Sequence, residues 1–120
     1  MTAQRAIAIV GDDDLVRAAT ASFVRSLGHS TQSFASAREF LNSEEAGIAF
    51  VISDLQMPGM SGIELQRQLK KRTAPPPLLL MTAFPSEHLS EQARAAGAVG
   101  LVGKPMDVDA LIGFLDGALN

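Results

Sequence analysis

The 120-residue chain has no cysteine. A disulfide framework and a thiolate metal site are therefore both excluded, and the absence is compatible with a reducing cytoplasm, where this domain is expected to reside. Histidine is scarce: His29 and His88 stand far apart in sequence, which favours surface or loop positions over paired ligands or bases. Positive charge is not in excess. The formal net charge of −3 argues against direct nucleic-acid binding by this domain. The apolar runs are no longer than a strand, so no membrane span is expected. The opening Met1-Thr2-Ala3-Gln4-Arg5 is too short and polar for a secretory signal. Linkers, repeats and low-complexity tracts are also missing. What remains is a chain whose residues are 47% hydrophobic, enough for a real core, and whose length fits one domain over residues 1–120.

Strand-like and helix-like segments alternate from end to end. Ala6–Val10 is short, apolar and bounded by Gly11, as a buried strand is. Asp13–Leu27 has helical spacing, with Val16, Thr20, Phe23, Val24 and Leu27 on one face and Gly28 as its stop. Thr31–Phe34 is a weaker strand, nearer an edge. Ser36-Ala37-Arg38-Glu39 is a capping box that opens a helix carrying Phe40 and Leu41. Ala49–Ser53 is the central strand. Ser61-Gly62-Ile63-Glu64 is a second capping box, ahead of Leu65 and Leu69. After Pro75-Pro76-Pro77 comes the strand Leu78–Met81. Pro85-Ser86 starts a helix to Ala96, stopped by Gly97. Val99–Val102 is the last strand. Asp107–Leu119 is the last helix, with Val108, Leu111, Ile112 and Leu115 on its inner side. Five strand–helix repeats imply an α/β fold, a parallel sheet with helices on both faces. Right-handed crossovers then gather the carboxyl ends of the strands on one edge.

That edge carries chemistry. Asp54 follows the central strand, Asp12, Asp13 and Asp14 follow the first, Thr82 follows the fourth and Lys104-Pro105 the fifth. Open α/β sheets keep their reactive sites at this edge. Clustered carboxylates need a compensating cation. Mg²⁺ suits them, since it takes one or two carboxylates, waters and a phosphate oxygen. Asp12, or the Asp12/Asp13 pair, with Asp54 and a backbone carbonyl at Gln56 supplies that shell. Asp54 is then placed as a nucleophile that forms an acyl phosphate. Lys104 can pair with a phosphate oxygen, and the Thr82 hydroxyl can donate to another. Singly, each feature has a plainer reading: a capping Asp, an acidic helix start that complements the macrodipole, a Lys-Pro turn, a capping Thr. Together, at successive strand ends, they favour the phosphoacceptor reading.

The whole chain resembles the receiver domain of bacterial two-component response regulators, of the CheY-like superfamily. Asp54-Leu55-Gln56-Met57-Pro58-Gly59-Met60-Ser61-Gly62 is similar to that family's phosphoacceptor stretch. Leu80-Met81-Thr82-Ala83 and Ala96-Gly97-Ala98 through Lys104-Pro105 are similar to its later motifs. The resemblance implies a flavodoxin-like, doubly wound (βα)5 sheet of order 2-1-3-4-5. It implies Mg²⁺-dependent phosphoryl transfer to Asp54 from a sensor histidine kinase or phosphotransfer protein. It also implies a cis Lys104-Pro105 bond. The domain is then not an enzyme on a separate substrate, beyond accepting and losing its own phosphoryl group. Phosphate meeting Lys104 and Thr82 is then expected to reshape the face of the fourth helix, last strand and last helix, with His88, Leu89, Gln92, Ala110 and Phe114. That face is expected to bind a partner or a second copy.

Two departures stand out. The family carries two adjacent acids after the first strand. Alignment through Val16-Arg17 puts Gly11 at the first and Asp12 at the second, so Asp12 matches the direct metal ligand. A one-residue shift pairs Asp12 with Asp13 instead. Leu101 stands where an aromatic ring usually couples the Thr to the output face. Met106 replaces a common Phe, and Gln56 and Phe84 sit at positions that tune the lifetime of the acyl phosphate. Gly11 and Leu101 motivate an alternative, a pseudo-receiver that binds partners without phosphorylation. A phosphatase reading is weak, because Gln56 occupies the place of its second Asp. Whether an output domain follows in a longer protein is open.

Overall fold

A computed structural model describes residues 6–43, 47–104 and 107–119 of the chain. Strands and helices alternate: β1 Ala6–Val10, α1 Asp14–Ser26, β2 Ser30–Phe34, α2 Ala37–Asn42, β3 Ile48–Asp54, α3 Gly62–Leu69, β4 Leu78–Thr82, α4 Glu87–Ala96, β5 Gly100–Gly103 and α5 Val108–Leu119. The five strands form one sheet in the order β2-β1-β3-β4-β5. All four pairings are parallel. This is the doubly wound flavodoxin-like sheet expected from the alternation and the resemblance.

Side-chain alternation along the strands divides the core in two. Ala8, Val10, Val51, Leu78 and Leu80 face one side, against Phe40, Leu65, Leu69 and Ala93 from α2, α3 and α4. Ile7, Ile9, Phe50, Ile52, Leu79 and Met81 face the other, against Ala21 and Val24 of α1 and Leu111 and Leu115 of α5. Burial of each large side chain contributes roughly 1.5–3 kcal/mol, so both faces of the central strands must be covered. Phe34 and Phe40 meet edge to face, with centroids 5.1 Å apart.

Local signals set the helix starts. Ser36, Ser61 and Ser86 accept from the backbone N–H groups of Glu39, Glu64 and Leu89 at 3.0, 3.1 and 3.1 Å. The second capping box differs from expectation: the Glu64 carboxylate accepts from Gln68 at 3.1 Å and pairs with Arg67 at 3.5 Å. Gly97 closes α4 at φ 102°, a left-handed conformation that costs a residue with a Cβ about 1–2 kcal/mol.

Three helix positions depart from the sequence reading. Asp13 lies outside α1 as its N-cap, and its Oδ1 accepts from Leu15 and Val16 at 2.9 and 3.0 Å. Leu27 and Val108, expected to face inward, are 37% and 45% exposed. Leu27 is the C-cap residue and Val108 begins α5. Each sits at a helix end, where the apolar stripe is no longer covered.

Candidate phosphoacceptor site

The sheet register builds the site. Val10 lies beside Ser53 and Asp54 beside Met81, while Thr82 lies beside Gly103. Gly11, Asp54, Thr82 and Lys104 therefore leave their strands at neighbouring points of one edge. Leu55 N–H donates to Met81 O and Lys104 N–H donates to Thr82 O, both at 2.8 Å. These bonds continue the ladder just past the strand ends and stitch the Asp54, Thr82 and Lys104 segments together.

Asp54 is the last residue of β3 and its side chain is only 3% exposed. Lys104 Nζ stands 2.8 Å from Asp54 Oδ1. The approach falls outside directed hydrogen-bond geometry, so the contact is one of charge. The other carboxylate oxygen lies over Gly11, where an added Cβ would stand 2.7 Å from Asp54 Oδ2. Behind the site, Gly62 packs against the Asp54 backbone carbonyl so closely that no side chain fits. That contact explains why α3 begins with Ser61-Gly62.

Thr82 is fully buried. Its hydroxyl donates to Gln56 Oε1 at 2.9 Å and accepts from Phe84 N–H at 3.2 Å. The bond between Thr82 and the Gln56 side chain was missed by sequence reasoning, which gave Gln56 a backbone carbonyl for the metal and a place among the lifetime-tuning positions. No local pattern signals a bond across 26 positions. Phe84 itself is 79% exposed.

The acids after β1 divide their roles. Asp12 is exposed. Asp13 is committed to capping α1. Asp14 pairs with Arg17, whose Nη1 also donates to Gly11 O at 2.5 Å. Among the described residues no three acidic or histidine side chains form a ready metal cage. Leu101 is half-buried and packs against the core on the α2–α4 side. Phe114 covers the opposite face of β5, where its ring leaves no room for a Cβ at Gly100. Pro105 and Met106, and with them the expected cis bond, lie outside the described residues. Among those residues no helix is long and apolar enough to cross a membrane.

A family model for the response regulator receiver domain matches residues 7–116. The chain belongs to the receiver-domain family of two-component response regulators. The receiver domain is 37% identical to the response regulator protein TodT of Pseudomonas putida, over 95% of this chain and 51% of that protein. It is 33% identical to the transcriptional regulatory protein FixJ of Bradyrhizobium diazoefficiens, over 100% of this chain and 59% of that protein. The chain thus spans about half the length of the curated relatives it matches. Among solved structures it is similar to the receiver domain of Ssk1 co-crystallised with the histidine phosphotransfer signaling protein Ypd1 of Saccharomyces cerevisiae. That likeness has a TM-score of 0.83 at 26% identity, covering 98% of this chain and 90% of the other. Receiver domains interact with histidine kinases or phosphotransfer proteins, and generally bind Mg²⁺ at the phosphorylation site.

Proposed function

We propose that Asp54 is the phosphoacceptor of this receiver domain, taking its phosphoryl group from the phosphohistidine of a sensor kinase or phosphotransfer protein. One observation carries the reading: a nearly fully buried carboxylate at the end of the central strand, with Lys104 Nζ 2.8 Å away and the Thr82 segment bonded alongside. The P–N bond of the donor breaks as an Asp54 oxygen bonds to phosphorus. Lys104 neutralises charge on the incoming group, and Thr82 donates to one of its oxygens.

The donor set fits Mg²⁺. Asp12, Asp54 and the Gln56 backbone carbonyl are hard oxygen donors, and Mg²⁺ needs only one or two carboxylates beside water and phosphate. Gly11 leaves a cradle beside Asp54 that a Cβ would fill. When bound, the ion draws the phosphoryl donor to Asp54 and offsets its charge. Asp13 is a poorer candidate, because capping occupies its Oδ1.

The wider role follows the same line. The domain switches a face made of α4, β5 and α5, where a partner or a second copy binds, and it acts in the cytoplasm. It works without touching nucleic acid or membrane itself, as the regulatory part of a transcriptional regulator. It transforms no separate substrate. Gly11 in place of an acid supports the second reading, a phosphorylation-independent interaction module.

Intact mass after incubation with acetyl phosphate, with and without Mg²⁺, separates the two. The expected result is a Mg²⁺-dependent phosphoryl adduct that the Asp54→Ala variant lacks. No adduct, beside a control receiver that labels, would favour the interaction module.

A further inference from the structure

Thr82 has a single hydroxyl proton, and in this structure it is already placed. Thr82 Oγ1 donates to Gln56 Oε1 at 2.9 Å. Its remaining capacity is as an acceptor, used by Phe84 N–H at 3.2 Å. One hydroxyl gives one O–H. A phosphoryl oxygen on Asp54 and the Gln56 amide oxygen therefore compete for the same proton.

The surroundings make this competition consequential. Thr82 is fully buried, so its hydroxyl has no bulk water to turn to. Gln56 is exposed, so its amide can swing into solvent and find water at once. The backbone bonds Leu55 N–H to Met81 O and Lys104 N–H to Thr82 O hold the flanking segments in place. The side-chain bond between Gln56 and Thr82 is thus a contact that can open without disturbing the sheet.

We infer that the Gln56 side chain is a latch on Thr82, holding the unphosphorylated arrangement and setting how strongly a phosphoryl group on Asp54 shifts the domain. The inference rests on Asp54 being the phosphoacceptor. Gln56 is a positioning residue that acts through Thr82. A bound group shifts an equilibrium only through contacts that differ between the states. The latch offsets one such contact, that from Thr82 to the phosphoryl oxygen. A net hydrogen bond of ordinary strength corresponds to about twofold to tenfold in affinity.

The test is the affinity of beryllofluoride with Mg²⁺, a phosphoryl mimic, followed by NMR titration. Wild type, Gln56→Leu, Thr82→Val, Thr82→Ser and the two double variants are compared. Gln56→Leu is expected to tighten binding by about twofold to tenfold where residue 82 keeps a hydroxyl, in the wild-type and Thr82→Ser backgrounds. In the Thr82→Val background it is expected to change nothing. The backbone resonance of Thr82 in unliganded Gln56→Leu should also move toward its bound position. An equal gain in the Thr82→Val background overturns the latch, since Gln56 would then act on the anion directly. No gain in any background overturns it too. Failure of wild type to bind, beside a control receiver that does, overturns the phosphoacceptor reading and the latch with it.

Discussion

The Asp54 carboxylate lies against Gly11, with Oδ2 only 2.7 Å from where a Cβ at position 11 would stand. Gly11 is therefore the seat of the Asp54 carboxylate, and the absence of a side chain there is what makes room for it. The carboxylate is held from two sides, by Gly11 beneath one oxygen and by Lys104 beside the other.

A methyl group at position 11 has nowhere to go unless Asp54 moves. Gly11→Ala is expected to destabilise the domain by about 1–3 kcal/mol, the usual range for overpacking, measured by urea unfolding. In an Asp54→Ala background the same substitution should be close to neutral, because the colliding oxygen is gone. A full penalty in both backgrounds would show that another neighbour is responsible.

Among the described residues, Lys104 is the cation that faces the buried Asp54 carboxylate. Its own side chain is 26% exposed, against 3% for Asp54, so losing it strands the more deeply buried partner. Lys104→Met is expected to cost about 1–3 kcal/mol, as a buried polar group left unsatisfied does. Adding Asp54→Asn should recover most of that loss, since a neutral amide needs no counter-charge. Denaturant midpoints of the four proteins check the prediction. Equal stability of Lys104→Met and wild type would mean that the pair contributes nothing to folding.

Asp12 and Asp13 are adjacent in sequence but do different work. Asp13→Ala removes the α1 cap and is expected to cost about 0.5–2 kcal/mol, whereas Asp13→Asn keeps the cap and should be nearly silent. Neither should alter Mg²⁺ affinity much. Asp12→Asn should weaken Mg²⁺ binding while leaving stability unchanged. Thermal unfolding and a Mg²⁺ titration by NMR read the two effects separately. A loss of Mg²⁺ affinity in Asp13→Asn would restore Asp13 as a ligand.

Much of this molecule is legible in one dimension. Short apolar runs punctuated by glycine and proline mark four of the five strands, the polar β2 being the weaker one, and Ser36, Ser61, Ser86 and Gly97 mark helix ends through chemistry confined to three or four residues. Alternation and handedness then gather the strand ends, so Asp54, Thr82 and Lys104 can be named as neighbours from sequence. The resemblance adds the strand order. Errors fall at the margins of elements: Leu27 and Val108 have the right spacing but sit exposed at helix ends, and Asp13 caps a helix it was expected to enter.

What the sequence by itself determined is the set of groups and the edge they share, because local periodicity, capping and crossover handedness act over short stretches of chain. Only the tertiary structure decided how those groups use one another. That Asp54 Oδ2 rests on Gly11, that Lys104 takes Oδ1, and that the Thr82 proton goes to Gln56 are matters of register between strands distant in sequence. Their geometry is fixed by the packing of both sheet faces, and no pattern along the chain carries information about it.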